Sequence, residues 1–189
     1  MEPNEVTEQL ALDKASEGWL NYLAVTTIIL AVFATLAGFK EGNNSVDSVL
    51  NQTQAANQWS YYQAKSIKSY LYEMQKDKLE MELKARKKEI SPELIAEYEG
   101  KISTYGKDIE RYSKERKDIM VEAKKYENLR DDVQRRAQAF GISMVFLQMG
   151  ILLSSIAALM KKKPLWYAGL VIGVVGSACF VDGFVLIMN

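Results

Sequence analysis

The chain has 189 residues, with 24 basic and 24 acidic side chains, one cysteine and no histidine. A single cysteine excludes an intrachain disulfide. The lack of histidine removes the commonest general base and the commonest metal ligand.

In chain order, residues 1–18 form a short acidic tail, where Glu2, Glu5, Glu8, Asp13 and Glu17 stand against Lys14. A weak amphipathic turn is expected around Val6 and Leu10. No basic leader precedes the first apolar run, so that run reads as an uncleaved anchor rather than a signal peptide.

Three apolar runs follow, at residues 19–39, 139–160 and 165–187. The first two hold no ionisable residue, and the third holds only Asp182. Each covers roughly 30 Å as a helix, the thickness of a bilayer's hydrocarbon core. The predicted fold class is therefore an all-α membrane protein with three transmembrane helices. Trp19 and Tyr22 open the first run, where amphipathic rings favour the membrane interface.

Between the first and second runs, residues 40–138 carry 20 basic and 18 acidic side chains. Gly42-Asn43-Asn44-Ser45 is a breaker cluster that predicts a hinge. A helix is then expected over 46–90, with a three-four seam running from Val46 through Leu50, Asn57, Ile67 and Leu71 to Ala85. Ser91-Pro92 marks a turn: serine caps a helix and proline fits its first position. A second helix is expected over 92–138. Its seam begins Ile95, Tyr98, Ile102, Tyr105 and continues in phase to Phe140, with Arg116 and Arg130 as charged exceptions. The phase predicts one helix running on into the second apolar run. Sustained heptads argue a coiled-coil-like antiparallel hairpin outside the bilayer, roughly 65 Å long.

Lys161, Lys162 and Lys163 join the second and third runs. Positive charge in short links favours the cytoplasm. The link and the amino terminus are therefore expected inside and the hairpin outside, although Lys40, Arg135 and Arg136 at the feet of the hairpin argue the reverse.

Small residues recur every four positions at Gly150, Ser154 and Ala158, and again at Gly169, Gly173 and Ser177. Such stripes let helix backbones approach. They are expected to pack on one another; packing on a neighbouring subunit is the alternative. Asp182 and Gln148 are the polar residues of interest inside the runs. An intramembrane carboxylate faces protein or water. It reads as an interhelical clamp, held by a basic side chain or by Gln148 and Ser143, or else as a proton or cation site.

Asn57, Gln58, Trp59, Tyr61, Tyr62 and Gln63 gather large rings and amides on about two turns. That chemistry suits a buried contact that also needs hydrogen bonds. Both an oligomer or partner interface and packing on the second helix fit it. The basic run at residues 84–88 reads as a solvated face, because glutamates surround it and the segment is near neutral; no nucleic-acid partner is expected.

The segment Asn57-Gln58-Trp59 with Tyr61-Tyr62-Gln63-Ala64-Lys65-Ser66, downstream of the first run, resembles an uncharacterised bacterial inner-membrane protein family with an NQWxYYQAKS-type segment. The basic link from Lys161 to Trp166 is similar as well. The histidine-rich amino-terminal tails of some similar sequences have no counterpart here. The resemblance implies a bacterial inner membrane and supplies no activity.

These readings predict a non-enzymatic scaffold or adaptor, homo-oligomeric through its hairpin and spans. Its partners would be the lipid bilayer and other envelope membrane proteins. No catalytic, cofactor-binding or metal-ligating residue is expected. The competing expectation is a small channel or transporter component using Asp182 and Gln148.

Overall fold

A computed structural model describes residues 3–86, 89 and 91–188, with side chains described within 18–185. Among these residues there are three helices and no strand: α1 (Pro3–Arg86), α2 (Pro92–Met160) and α3 (Lys163–Met188). Each contains a stretch long and apolar enough to cross a membrane. The chain is thus compatible with a multi-pass membrane protein.

Local chemistry explains both ends of α2. The Ser91 hydroxyl accepts a 3.3 Å bond from the Leu94 amide, satisfying one of the unpaired donors at the start of α2. Pro92 follows at the first helical position, where its missing N–H costs nothing. At the other end of α2, Lys161 has φ 52°. Its amide donates to Ala158 O at 3.4 Å, and the Lys162 amide donates to Ala157 O at 3.1 Å. That pair of bonds is a Schellman cap, with lysine at the left-handed position where glycine is favoured. The remaining Lys87, Lys88 and Ile90 of the predicted first helix and basic run lie outside the described residues.

The breaker cluster makes no hinge. α1 stays helical through Gly42 to Ser45. A side chain at Gly42 would meet nothing within 4 Å, and the Ser45 hydroxyl donates to the Glu41 carboxylate at 2.8 Å one turn back. Propensity is a weak prior, and local bonding of this kind overrides it. The in-phase seam of α2 does continue without a break, through Gly106 and Gly141, into the apolar run.

The chain divides into two compact units: Met1–Ser48 with Asp131–Asn189, and Val49–Arg130. In the first, all three helices contribute to one core. Leu30, Ala34 and Ala37 of α1 meet Phe140 and Leu147 of α2 and Phe180 of α3. Rings meet edge to face there, Phe140 to Phe180 at 5.7 Å and Phe33 to Phe180 at 5.5 Å, the geometry aromatic quadrupoles prefer. A second cluster joins Trp19, Leu23 and Ala157, with Trp166 against it.

In the second unit, α1 and α2 side chains meet in reverse chain order. Gln52 meets Arg130, Trp59 meets Glu127, Lys65 meets Glu115 and Tyr72 meets Tyr105. The α2 seam lies where the heptads predict: Ile95 to Arg130 along that repeat are buried or half-buried, with Tyr112, Ile119 and Ala123 buried. The α1 seam does not. Leu50, Ile67, Leu71 and Met74 are all more than half exposed. The buried or half-buried repeat is instead Ala55, Tyr62, Ser69, Lys76 and Leu83, two residues out of phase. Two residues rotate a helix by about 200°, so the more apolar seam faces away from α2.

Candidate functional site

The aromatic-amide segment of α1 splits between two faces. Gln58, Trp59 and Tyr62 are half-buried, whereas Asn57, Tyr61 and Gln63 are exposed. Trp59 donates its indole N–H to Glu127 at 2.8 Å and meets the Tyr62 ring edge to face at 5.6 Å. A buried indole needs such an acceptor. Six residues on, Lys65 pairs with Glu115 at 2.6 Å, its ammonium also lying over the Tyr61 and Tyr112 rings at 5.2 and 5.3 Å. The hydrogen bond between the two partners raises the Lys65 pKa and lowers that of Glu115. Tyr72 stacks on Tyr112 at 5.8 Å; the neighbouring Tyr112 and Asp108 push its hydroxyl pKa up. The Arg116 guanidinium reaches Ser66 at 3.4 Å and leaves its Nε buried without a partner.

Within the first unit, the small-residue stripes come together. A Cβ on Gly150 would stand 2.9 Å from Gly169 O and 3.3 Å from Gly173 Cα. Gly173 also receives Leu30 of α1, whose Cδ2 would be 2.7 Å from an added Cβ. Ser154 is fully buried with its hydroxyl unpartnered, Ala158 packs beside the Trp19 cluster, and the Ser177 hydroxyl bonds back to Gly173 O at 2.9 Å. Three contacts fall outside the predicted stripes. Gly176 lies against Leu147, Gly183 lies against the Phe140 ring, and Ser143 donates to Gly176 O at 2.8 Å. The signal for them is a four-three alternation, Gly169, Gly173, Gly176, Phe180, Gly183, which a search at spacing four misses.

The two polar residues of interest in the apolar runs, Asp182 and Gln148, are not brought together. Asp182 stands nearly level with Phe140, as the Gly183 contact fixes, while the contacts of Gly150 put Gln148 level with the region of Gly173. That offset is about seven to nine residues, roughly 10–13 Å along the helix. Ser143 is engaged by Gly176, and Gln148 is exposed. The expectation that either holds Asp182 is therefore corrected: an antiparallel pairing sets depth by the sum of residue numbers, and Gln148 falls too far along. Asp182 is exposed and borders a groove of about 310 Å³ with Arg135, Gln138 and Cys179. Arg135 itself is bonded to Asp132. Lys40 lies over the Phe184 ring at 5.5 Å. A larger open groove, about 690 Å³, runs past Glu41, Gln134, Gly141 and Phe146. Its one carboxylate accepts from Ser45 and has no second titratable group beside it in the lining. No group of three or more His, Cys, Asp or Glu placed to hold a metal occurs among the described residues.

A family described as a domain of unknown function, DUF4337, matches residues 19–186. The chain belongs to that family. The matched range takes in the Trp19 cluster, the Trp59 to Glu127 contact and the glycine seam of α3. No curated protein and no solved structure matches the chain.

Proposed function

We propose that the chain is a non-enzymatic scaffold or adaptor of the bacterial inner membrane, homo-oligomeric and in contact with other envelope proteins. In this reading three helices cross the bilayer, while residues 49–130 form an antiparallel, coiled-coil-like hairpin on the periplasmic side. The amino terminus and the Lys161–Lys163 link lie in the cytoplasm. The carrying observation is how the chemically capable side chains are engaged. Trp59 is bonded to Glu127, Lys65 to Glu115 and Ser143 to Gly176, so each fastens one helix to another. A site for chemistry needs such groups converging on a concave pocket instead. Native mass measurement and blue-native gels in mild detergent test the reading. Oligomers in several detergents are expected, and a strictly monomeric species would reject it. Labelling of a cysteine placed at Asn128, with a membrane-impermeant reagent on intact cells, tests the orientation.

The second reading, a channel or transporter component, draws on the exposure of Asp182 beside Arg135 in the 310 Å³ groove. With Gln148 displaced along the helix, one chain offers no common polar path, and several chains would be needed to enclose one. Altered ion flux in Asp182→Asn vesicles, with assembly unchanged, would favour it.

A further inference from the structure

We propose that the outward face of α1 between Leu50 and Met81 is the contact between two copies of this chain, packed as a parallel, in-register helix pair. The proposal rests on the membrane-scaffold reading and deepens it. Leu50, Thr53, Asn57, Ser60, Ala64 and Ile67 begin a three-four alternation that continues through Leu71, Met74 and Lys78 to Met81. All ten positions are exposed, with Ile67 at 60%, Met74 at 69% and Met81 at 63%. A repeat of 3.5 residues keeps one stripe against a neighbouring helix over many turns. The face that meets α2 has its own repeat, two residues out of phase, so this second repeat has no partner within the unit.

Charge identifies the partner. Among the exposed side chains of α1 from Val49 to Met81, only Lys68, Asp77 and Lys78 are charged; the rest are aliphatic, aromatic, hydroxyl or amide. The exposed side of α2 is different, bearing Glu97, Lys101, Lys107, Glu110, Lys114 and Lys117. Depletion of charge with enrichment of Tyr and Met is the composition of an interface centre. A charged surface does not complement it, whereas a second copy of the same face does, as twofold symmetry requires.

Size and direction are consistent. The thirty-two residues from Leu50 to Met81 span roughly 45 Å, and a stripe about 10 Å wide buries on the order of 900 Å² over two copies. That lies near the ~1,000 Å² of a specific interface, and confinement of both copies to one bilayer raises their effective concentration. Copies inserted with one topology run parallel. In that register Asn57 meets Asn57 of the second copy, and an asparagine at this kind of core position selects register and two-strandedness. Lys78 occupies the same kind of position; its ammonium then reaches Asp77 of the second copy, the flanking residue that precedes its own equivalent.

Single cysteines at Leu50, Ile67, Leu71 or Lys114 in a Cys179→Ser background, oxidised in native membranes, test the proposal. Leu50→Cys, Ile67→Cys and Leu71→Cys are expected to give a band of doubled mass, and Lys114→Cys is not. Doubling at Leu50 requires the parallel register, because an antiparallel pair would bring Leu50 to the far end of its neighbour. Monomer bands at all three stripe positions would overturn the proposal. If wild type is nevertheless oligomeric by native mass, only this face is rejected; if wild type is monomeric, the scaffold reading falls as well. Leu71→Asp provides a second test. The side chain is 52% exposed in one copy, so helix content by circular dichroism should hold while the dimer falls at least tenfold in native gels. A retained dimer would also overturn the proposal.

Discussion

Gly150 and Gly169 face each other backbone to backbone: a Cβ on either would stand 2.9 Å from the carbonyl oxygen of the other. Backbone cannot yield as a flexible side chain can, so any larger residue must push α2 and α3 apart. Gly150→Val or Gly169→Val is expected to destabilise the first unit by about 1–3 kcal/mol, or more if the helices cannot reseat. Thermal unfolding in mild detergent, followed by resistance to proteolysis, measures it. Gly42→Ala, with nothing within 4 Å, is the matched control and should be neutral or slightly stabilising.

Two buried serines predict opposite outcomes. Ser143 donates to Gly176 O, whereas the Ser154 hydroxyl is buried with no partner. Ser143→Ala should cost about 1 kcal/mol, the usual net worth of such a bond. Ser154→Ala removes an unsatisfied group at nearly constant volume, so stability should be unchanged or higher. Equal losses in the two variants, read as shifts in unfolding midpoint, would contradict this account.

Lys161 occupies a left-handed backbone position that costs a side-chain-bearing residue about 1 kcal/mol relative to glycine. Lys161→Gly is expected to raise the unfolding midpoint by the equivalent of up to ~1 kcal/mol. Removing one lysine from the link also weakens the orientation signal, so the variant needs its topology checked by thiol labelling beside the stability measurement.

The Lys65–Glu115 pair carries a pH signature. Glu115 is held below its ordinary 4.5, so its contribution is complete above that value and is lost as pH falls through the lowered one. Lys65 is held above its ordinary 10.5, so its contribution is complete below that value and is lost as pH rises through the raised one. Unfolding of the full chain monitored between pH 3 and 6 should show a smaller acid loss in Lys65→Met than in wild type. Identical acid limbs would mean that the pair contributes nothing, as many partly exposed pairs do.

The two helices of the second unit differ in how far their packing was readable. On α2 the seam alternates Ile and Tyr from Ile95 to Tyr112, and the seam positions are the buried or half-buried ones, because most outward residues between them are charged. On α1 the most apolar alternation is the exposed one. The face that meets α2 combines Ala55, Tyr62, Ser69 and Lys76, and it works because Glu115 neutralises Lys65 and Glu127 accepts from Trp59. Those compensations lie on α2, some fifty or more residues away in sequence, where periodicity along α1 does not register them. Helix identity, the Ser91-Pro92 start and the meeting of the glycine stripes were legible from local chemistry. The depth of Asp182 relative to Gln148 was not, because it depends on the pairing register of α2 and α3. Gly176 and Gly183 fall on an alternation of four and three, outside any stripe of constant spacing four.

Four glycines line one side of α3, and each weakens a helix in water by about 1 kcal/mol relative to alanine. Hydrocarbon reverses that preference, since an unbonded peptide group there costs several kcal/mol. In a bilayer, α3 would hence become helical on insertion and only afterwards find its neighbours. Solvents that wet the bare ridge, such as short-chain micelles, should unravel this segment before any other.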